Sequence, residues 1–171
     1  MTKTNVLLFL PAQNFNEQEY LIILNALESL NVKIFIASDA NTLCVGSNGL
    51  KVKNDVQLYN VHEFNFNGLI LIGGSGIKSY FNNDRLRSIV KKFAEKRKPT
   101  AAICGAPIIL AKAGLLKDKA TCHIDYKTEL EREGVQYLDQ PVVANKNIIT
   151  GQCPSSAPEF IKIFLHELTN N

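Results

Sequence analysis

Apolar positions along the chain follow two alternating patterns. A short continuous run occurs at residues 6–10, and residues 32–37, 68–72 and 100–103 are read as further short core strands. Runs of that length without polar alternation suit strands buried on both faces of a parallel sheet. Between the first two, residues 19–30 carry Tyr20, Ile23, Leu24, Leu27 and Leu30 at helical spacing, giving a strand–helix–strand unit. Residues 84–98, stopped before Pro99, form a basic amphipathic helix with its charges on a solvated face. Residues 106–113, 126–133 and 158–168 are read as further helices, the first two closed by Gly114 and Gly134. Residues 119–122 are read as a fifth short strand, and 141–150 as a hairpin turning at Asn145-Lys146-Asn147. Residues 38–60 break the rhythm: Leu43-Cys44-Val45 and Leu50-Lys51-Val52, split by Gly46 and Asn48-Gly49, predict a small antiparallel excursion. The pattern as a whole predicts an α/β fold: a doubly wound, mainly parallel sheet with helices on both faces, a three-layer sandwich.

Composition narrows the reading further. With 171 residues, 46% hydrophobic and 20% charged, residues 1–171 are expected to form a single domain. It can bury about 70% of its unfolded surface without a disulfide or metal. A net charge of +3, scattered along the chain, argues against nucleic acid. The apolar run Val6 to Leu10 is too short for a signal-peptide core. No stretch approaches the roughly 18 apolar residues of a membrane span, so a cytoplasmic protein with no membrane contact is expected. Cys44, Cys104, Cys122 and Cys153 are read as free thiols.

Ligands of such sheets bind beyond the carboxyl ends of the strands, so the residues following each core strand carry the candidate chemistry. Cys104 lies between the strand Thr100-Ala101-Ala102-Ile103 and a helix opening with Gly105-Ala106-Pro107. A nucleophile on a sharp strand-to-helix turn needs small neighbours, and Pro suits a helix's first turn. The following helix terminus is expected to depress the thiol pKa, although a small buried cysteine is the simpler alternative. Gly73-Gly74 closes a neighbouring strand, where one N–H of the pair can join that of Gly105 as an oxyanion hole; an ordinary turn is the alternative. His123, in Thr121-Cys122-His123, is a candidate acid or base on the same rim. Cys122-His123 lacks a second ligand pair, so no metal is expected. Glu17 is assigned to the helix terminus, His62 and His166 to the surface or to packing. Glu19 is expected to lie beside the thiolate, protonated and donating to sulfur.

The segments VLLFLPAQNFNEQE, GLILIGGSG, AAICGAP, AGLLKDKATCH and TGQCPSSAPEF, in this order and spacing, resemble the ThiJ/PfpI superfamily over essentially the whole chain. The branch they resemble most is that of the DJ-one protein deglycase, which implies a flavodoxin-like fold. The resemblance implies Cys104 as the reactive cysteine, Glu19 as the acid hydrogen-bonded to it, His123 as the nearby histidine, and Gly74 and Gly105 as backbone donors. Gly105 stands where the peptidase branch has His. Gln152 stands where the DJ-one group has Arg, and neither the G-x-C-x-G nor the late His-x-Glu of glutamine amidotransferases is present. The activity implied is cofactor-independent conversion of reactive aldehydes or their adducts, glyoxalase III or deglycase-like, in a homodimer linked to carbonyl or oxidative stress. A redox-responsive chaperone-like or regulatory protein using the same cysteine is the alternative, and a hydratase or amidase/peptidase-like member a third.

Overall fold

In a computed structural model, which describes residues 4–170, the chain is an α/β sandwich. Strand Asn5–Phe9 (β1) leads through the short strand Gln13–Phe15 (β2) into helix Glu17–Glu28 (α1), and Lys33–Ser38 (β3) returns parallel to β1. Leu43–Gly46 (β4) and Lys51–Lys53 (β5) follow, then Val56–Gln57 (β6) and Gly68–Leu71 (β7). Next come helix Asp84–Glu95 (α2), strand Thr100–Ile103 (β8) and helix Pro107–Lys112 (α3). Lys119–Ala120 (β9), Lys127–Arg132 (α4) and Gln136–Tyr137 (β10) precede the hairpin Val142–Asn145 (β11) and Ile148–Gly151 (β12), and Ala157–Asn170 (α5) ends the chain. The main sheet runs β11-β12-β8-β7-β1-β3-β6 and is parallel except at the β11–β12 hairpin. As expected, β4 and β5 pair antiparallel; β2 pairs parallel with β4 to complete a small side sheet.

Period-two alternation sorts the core into two layers. Along β1, Leu7 and Phe9 face α2 and α3, whereas Val6 and Leu8 face α1 and α5. On the first side Leu86, Ile89, Val90 and Phe93 of α2 recur at helical spacing and are buried, leaving the basic residues outward. On the second side Ile23 and Leu27 of α1 and Phe160 and Phe164 of α5 cover the sheet. Among the described residues no helix is long and apolar enough to cross a membrane.

Three sequence expectations change. Helix α2 ends at Glu95 rather than Lys98, because Arg97 turns into the left-handed region (φ 57°) and Lys98 N–H closes on the Phe93 carbonyl. Lys98 then leaves the solvated face, its ammonium donating to the carbonyls of Glu63 and Phe66 at 2.5 and 2.7 Å. The expected fifth strand is only β9, and it pairs with β10 in a separate two-stranded sheet. Thr121 and His123 instead hang on the main sheet's rim by single bonds, to Thr150 Oγ1 and the Cys104 carbonyl.

Phe160 is wholly buried, and its ring occupies the space beside Gly151 that a side chain there would need. Phe160→Ala is expected to lower unfolding stability by about 3–5 kcal/mol through the cavity it leaves, as read from urea denaturation. A loss below about 1 kcal/mol contradicts the packing described.

Candidate active site

The site is built where α1, β7 and β8 meet. Asn16 caps α1, its side chain accepting from Glu19 N–H at 3.0 Å. Glu19 therefore occupies the third helical position, where an acid commonly reaches back to the capping residue's own N–H. Here the Asn16 N–H is taken by the Gly73 carbonyl at 2.9 Å. The Glu19 side chain instead crosses to the sheet, and Oε2 accepts from Gly73 N–H at 2.9 Å. This reciprocal pair fixes the start of α1 against the end of β7. Glu19 is fully buried, and its second oxygen, Oε1, has no hydrogen-bond partner.

Cys104 faces the same point. A Cβ placed on Gly73 would lie 2.5 Å from Cys104 Cβ and 3.1 Å from Glu19 Oε2, so the glycine is what lets the two acidic side chains approach. Cys104 has φ 65°, a left-handed conformation that a non-glycine residue rarely adopts. Its surroundings enforce it. Its N–H donates to the Gly151 carbonyl at 3.0 Å, and its carbonyl accepts from His123 N–H at 2.8 Å. Such over-determined strain is a mark of functional turns. The backbone N–H groups of Gly74 and Gly105 lie beside the sulfur and favour its charged form. Gly74 sits at φ 114°, which favours glycine. Gly105 has no room for a side chain between Tyr126 and Ile77.

The electrostatics correct the expectation of a low thiol pKa. Burial pushes the Cys104 thiol up to about 12, the neighbouring Glu19 charge adds to the rise, and the two glycine N–H groups only partly offset it. Burial likewise raises Glu19 to about 7, against the opposing hydrogen bonds of Gly73 and Cys104. Six-residue α3 starts only at Pro107 and does not overcome the loss of water. The two acids thus hold one charge between them above about pH 7, with the second proton retained far into the alkaline range. Their order is also the reverse of the expected one: the carboxyl ionises first. The thiol below its ordinary value is Cys153. Burial pushes it up, but hydrogen bonds from Ser155 and Ser156 outweigh that effect.

The other residues sort by position. His123 is tied to Cys104 through its backbone, while its ring Nδ1 accepts from Asp125 N–H at 3.3 Å. The same nitrogen lies 3.4 Å from Asp125 Oδ2. Tyr126, which the sequence reading passed over as part of a helix, packs against Gly105 beside the nucleophile. Gln152 donates to Tyr137 Oη and Asp139 Oδ1 at 2.8 and 2.7 Å, which uses both its N–H bonds inside the late loop. Glu17 does more than favour a helix terminus: Oε1 accepts from the N–H groups of Asn48 and Leu50 at 2.7 and 2.9 Å, clamping the β4–β5 turn. Cys44 and Cys122 are buried, and burial raises both thiols. His62 stacks on Phe64, and His166 pairs with Asn170. Among the described residues no three His, Cys, Asp or Glu side chains are grouped to hold a metal ion.

Residues 4–167 match the model of the DJ-1/PfpI family. The chain is 29% identical, over 93% of its length and 96% of the relative's, to the protein called deglycase PfpI of Pyrococcus furiosus. It is 26% identical, over 91% of its length and 84% of the relative's, to a glutathione-independent glyoxalase of Caenorhabditis elegans. Its fold superposes with a TM-score of 0.94 on the crystal structure of a ThiJ/PfpI domain protein from Brachyspira murdochii, at 24% identity and with 99% of each chain covered.

The raised Glu19 pKa has a thermodynamic signature. A carboxyl held protonated by the fold contributes stability in full below its unfolded value of about 4.5 and loses it as pH rises towards about 7. Across that window the Glu19 contribution to wild-type stability is expected to fall by about 3 kcal/mol. Glu19→Gln, which has no proton to lose, removes this part of the decline. Equal slopes for the two proteins in urea denaturation at pH 4.5 to 7.5 contradict a Glu19 that is buried and protonated.

Proposed function

The chain belongs to the DJ-1/PfpI family, and from that premise we propose that it is a cofactor-independent enzyme converting small reactive aldehydes of the methylglyoxal type to hydroxy acids at Cys104. The observation that carries the reading is the single charge shared by Glu19 and Cys104 beside two backbone donors. A carboxyl titrating near 7 suits a general base at neutral pH. The deglycase and glyoxalase relatives support the choice of substrate class.

The steps follow from these positions. The Glu19 carboxylate takes the Cys104 proton as sulfur attacks the aldehyde carbon. The N–H groups of Gly74 and Gly105, which lie beside the sulfur, stabilise the oxygen that becomes negative. Glu19 returns its proton to that oxygen, giving a hemithioacetal. As carboxylate again, it removes the proton from the former aldehyde carbon, giving an enediolate; the hydroxyl proton on that carbon passes to the neighbouring oxygen, and Glu19 delivers its own proton to the adjacent carbon, leaving a thioester and a hydroxyl group. Water then releases the hydroxy acid and restores the Cys104 thiol, the departing sulfur taking its proton from the attacking water, with His123 proposed as the relaying side chain. Overall, methylglyoxal and one water give lactate, with no oxidant or reductant. The buried, raised thiol favours attack assisted by a base over spontaneous oxidation, so the redox-sensing alternative has less support. A cytoplasmic homodimer acting in carbonyl or oxidative stress belongs to the same proposal, on the strength of family membership.

Purified wild type is expected to produce lactate from methylglyoxal, with kcat/KM rising with pH through about 7 as Glu19 ionises. Cys104→Ser should remove turnover. Glu19→Gln should cost about 10²–10⁴-fold in kcat and abolish the rise with pH while the fold persists. Full activity in Glu19→Gln, or no lactate from the wild type, overturns the proposal.

A further inference from the structure

Tyr126 lies against the reactive turn for reasons unrelated to the proton-sharing pair. It ends the 3-10 turn Ile124–Tyr126, which starts directly after His123. The His123 N–H bond to the Cys104 carbonyl, at 2.8 Å, anchors that turn to the nucleophile's own backbone. The ring is braced edge-on by Phe81, with centroids 5.3 Å apart, and by His123 at 6.4 Å. Its edge fills the space over Gly105: a Cβ there would lie 2.6 Å from Tyr126 Cε2 and 3.1 Å from Cδ2. Ile77 Cγ2, 2.8 Å from the same point, closes the other side. Cys104, the preceding residue, is 8% exposed.

We propose that Tyr126 is a specificity-determining residue of this site: its ring walls the Gly105 side of Cys104 and restricts the thiol to carbonyl compounds whose substituent is as narrow as hydrogen or methyl. The substrate part of this inference rests on the aldehyde reading above; the steric part does not. Glyoxal and methylglyoxal fit beside such a wall, whereas an aryl substituent meets the ring. Discrimination comes from an obstructing group rather than an added attraction. The Cys104 charge, after burial, helps to raise the Tyr126 hydroxyl pKa, in keeping with their nearness.

The test compares wild type, Tyr126→Phe, Tyr126→Leu and Tyr126→Ala. Iodoacetamide and its N-phenyl analogue, iodoacetanilide, differ by one ring, and peptide mass mapping gives the alkylation rate of Cys104 with each. Wild type and Tyr126→Phe are expected to favour the small reagent by about tenfold or more, and Tyr126→Leu and Tyr126→Ala to lose most of that ratio. The ratio of kcat/KM for methylglyoxal to that for phenylglyoxal should fall in the same order. Circular dichroism identifies any variant that fails to fold, and Tyr126→Leu serves if Tyr126→Ala does. Alkylation ratios that change as expected without turnover of either dicarbonyl support the wall and defeat the aldehyde reading. Ratios unchanged in the folded Leu and Ala variants, or a Cys104 that neither reagent labels in any of the proteins, overturn the wall.

Discussion

Two acids confined to one dry pocket cannot both be charged at neutral pH, and the site follows from that constraint. Glu19 and Cys104 converge on Gly73 with little water to screen them. Burial raises both, and the Glu19 charge adds to the cost of ionising Cys104, whereas the Cys104 thiol partly offsets the rise at Glu19. One proton therefore stays between them at neutral pH and above. A resting thiol that is not ionised is protected from stray electrophiles and oxidants. A carboxylate already in place can accept its proton at the moment of attack. Reactivity is stored in the pair rather than in an exposed thiolate.

The fold makes this arrangement possible by bringing three chain segments to one end of the parallel sheet. Asn16 N–H donates to the Gly73 carbonyl, Gly73 N–H donates to the Glu19 carboxyl and the Asn16 side chain caps the helix, so that the third residue of α1 points at the end of β7. The end of β8 is bent sharply at Cys104, and bonds from β12 and from the segment after β9 hold the bend. Each of these contacts lies at the carboxyl rim, where the sheet leaves strand ends open on the side its helices do not cover. The glycines at 73, 74 and 105 are needed for distance and conformation: two give clearance to Cys104, Glu19 and Tyr126, and Gly74 supplies the positive φ.

Much of this was legible in the residues. Buried parallel strands announce themselves as short apolar runs, and the small residues around Cys104 mark a crowded strand-to-helix turn. Glu19 could be paired with it because both lie just past core strands. The sign of the thiol's perturbation was not legible. A helix terminus is visible in sequence, but the depth to which sulfur is buried depends on how three distant segments pack. Tyr126 was missed for a related reason. In a run reading as helix, an aromatic residue suggests packing, and only the 3-10 turn aims it at Gly105. Lys98 and Glu17 likewise looked like solvated charge and helix-end acid. Their real partners are backbone groups some 30 residues away, beyond the reach of local pattern.

The most direct test of the shared proton is a carbon-13 NMR titration of the Glu19 side-chain carboxyl in the intact protein. Its resonance is expected to move with an apparent pKa near 7, and to remain raised in Cys104→Ala because burial is the larger cause. A Glu19 that titrates near its ordinary 4.5 in the folded protein would mean the carboxyl is solvated and separately charged. The account of a single proton held between Glu19 and Cys104 would then be wrong.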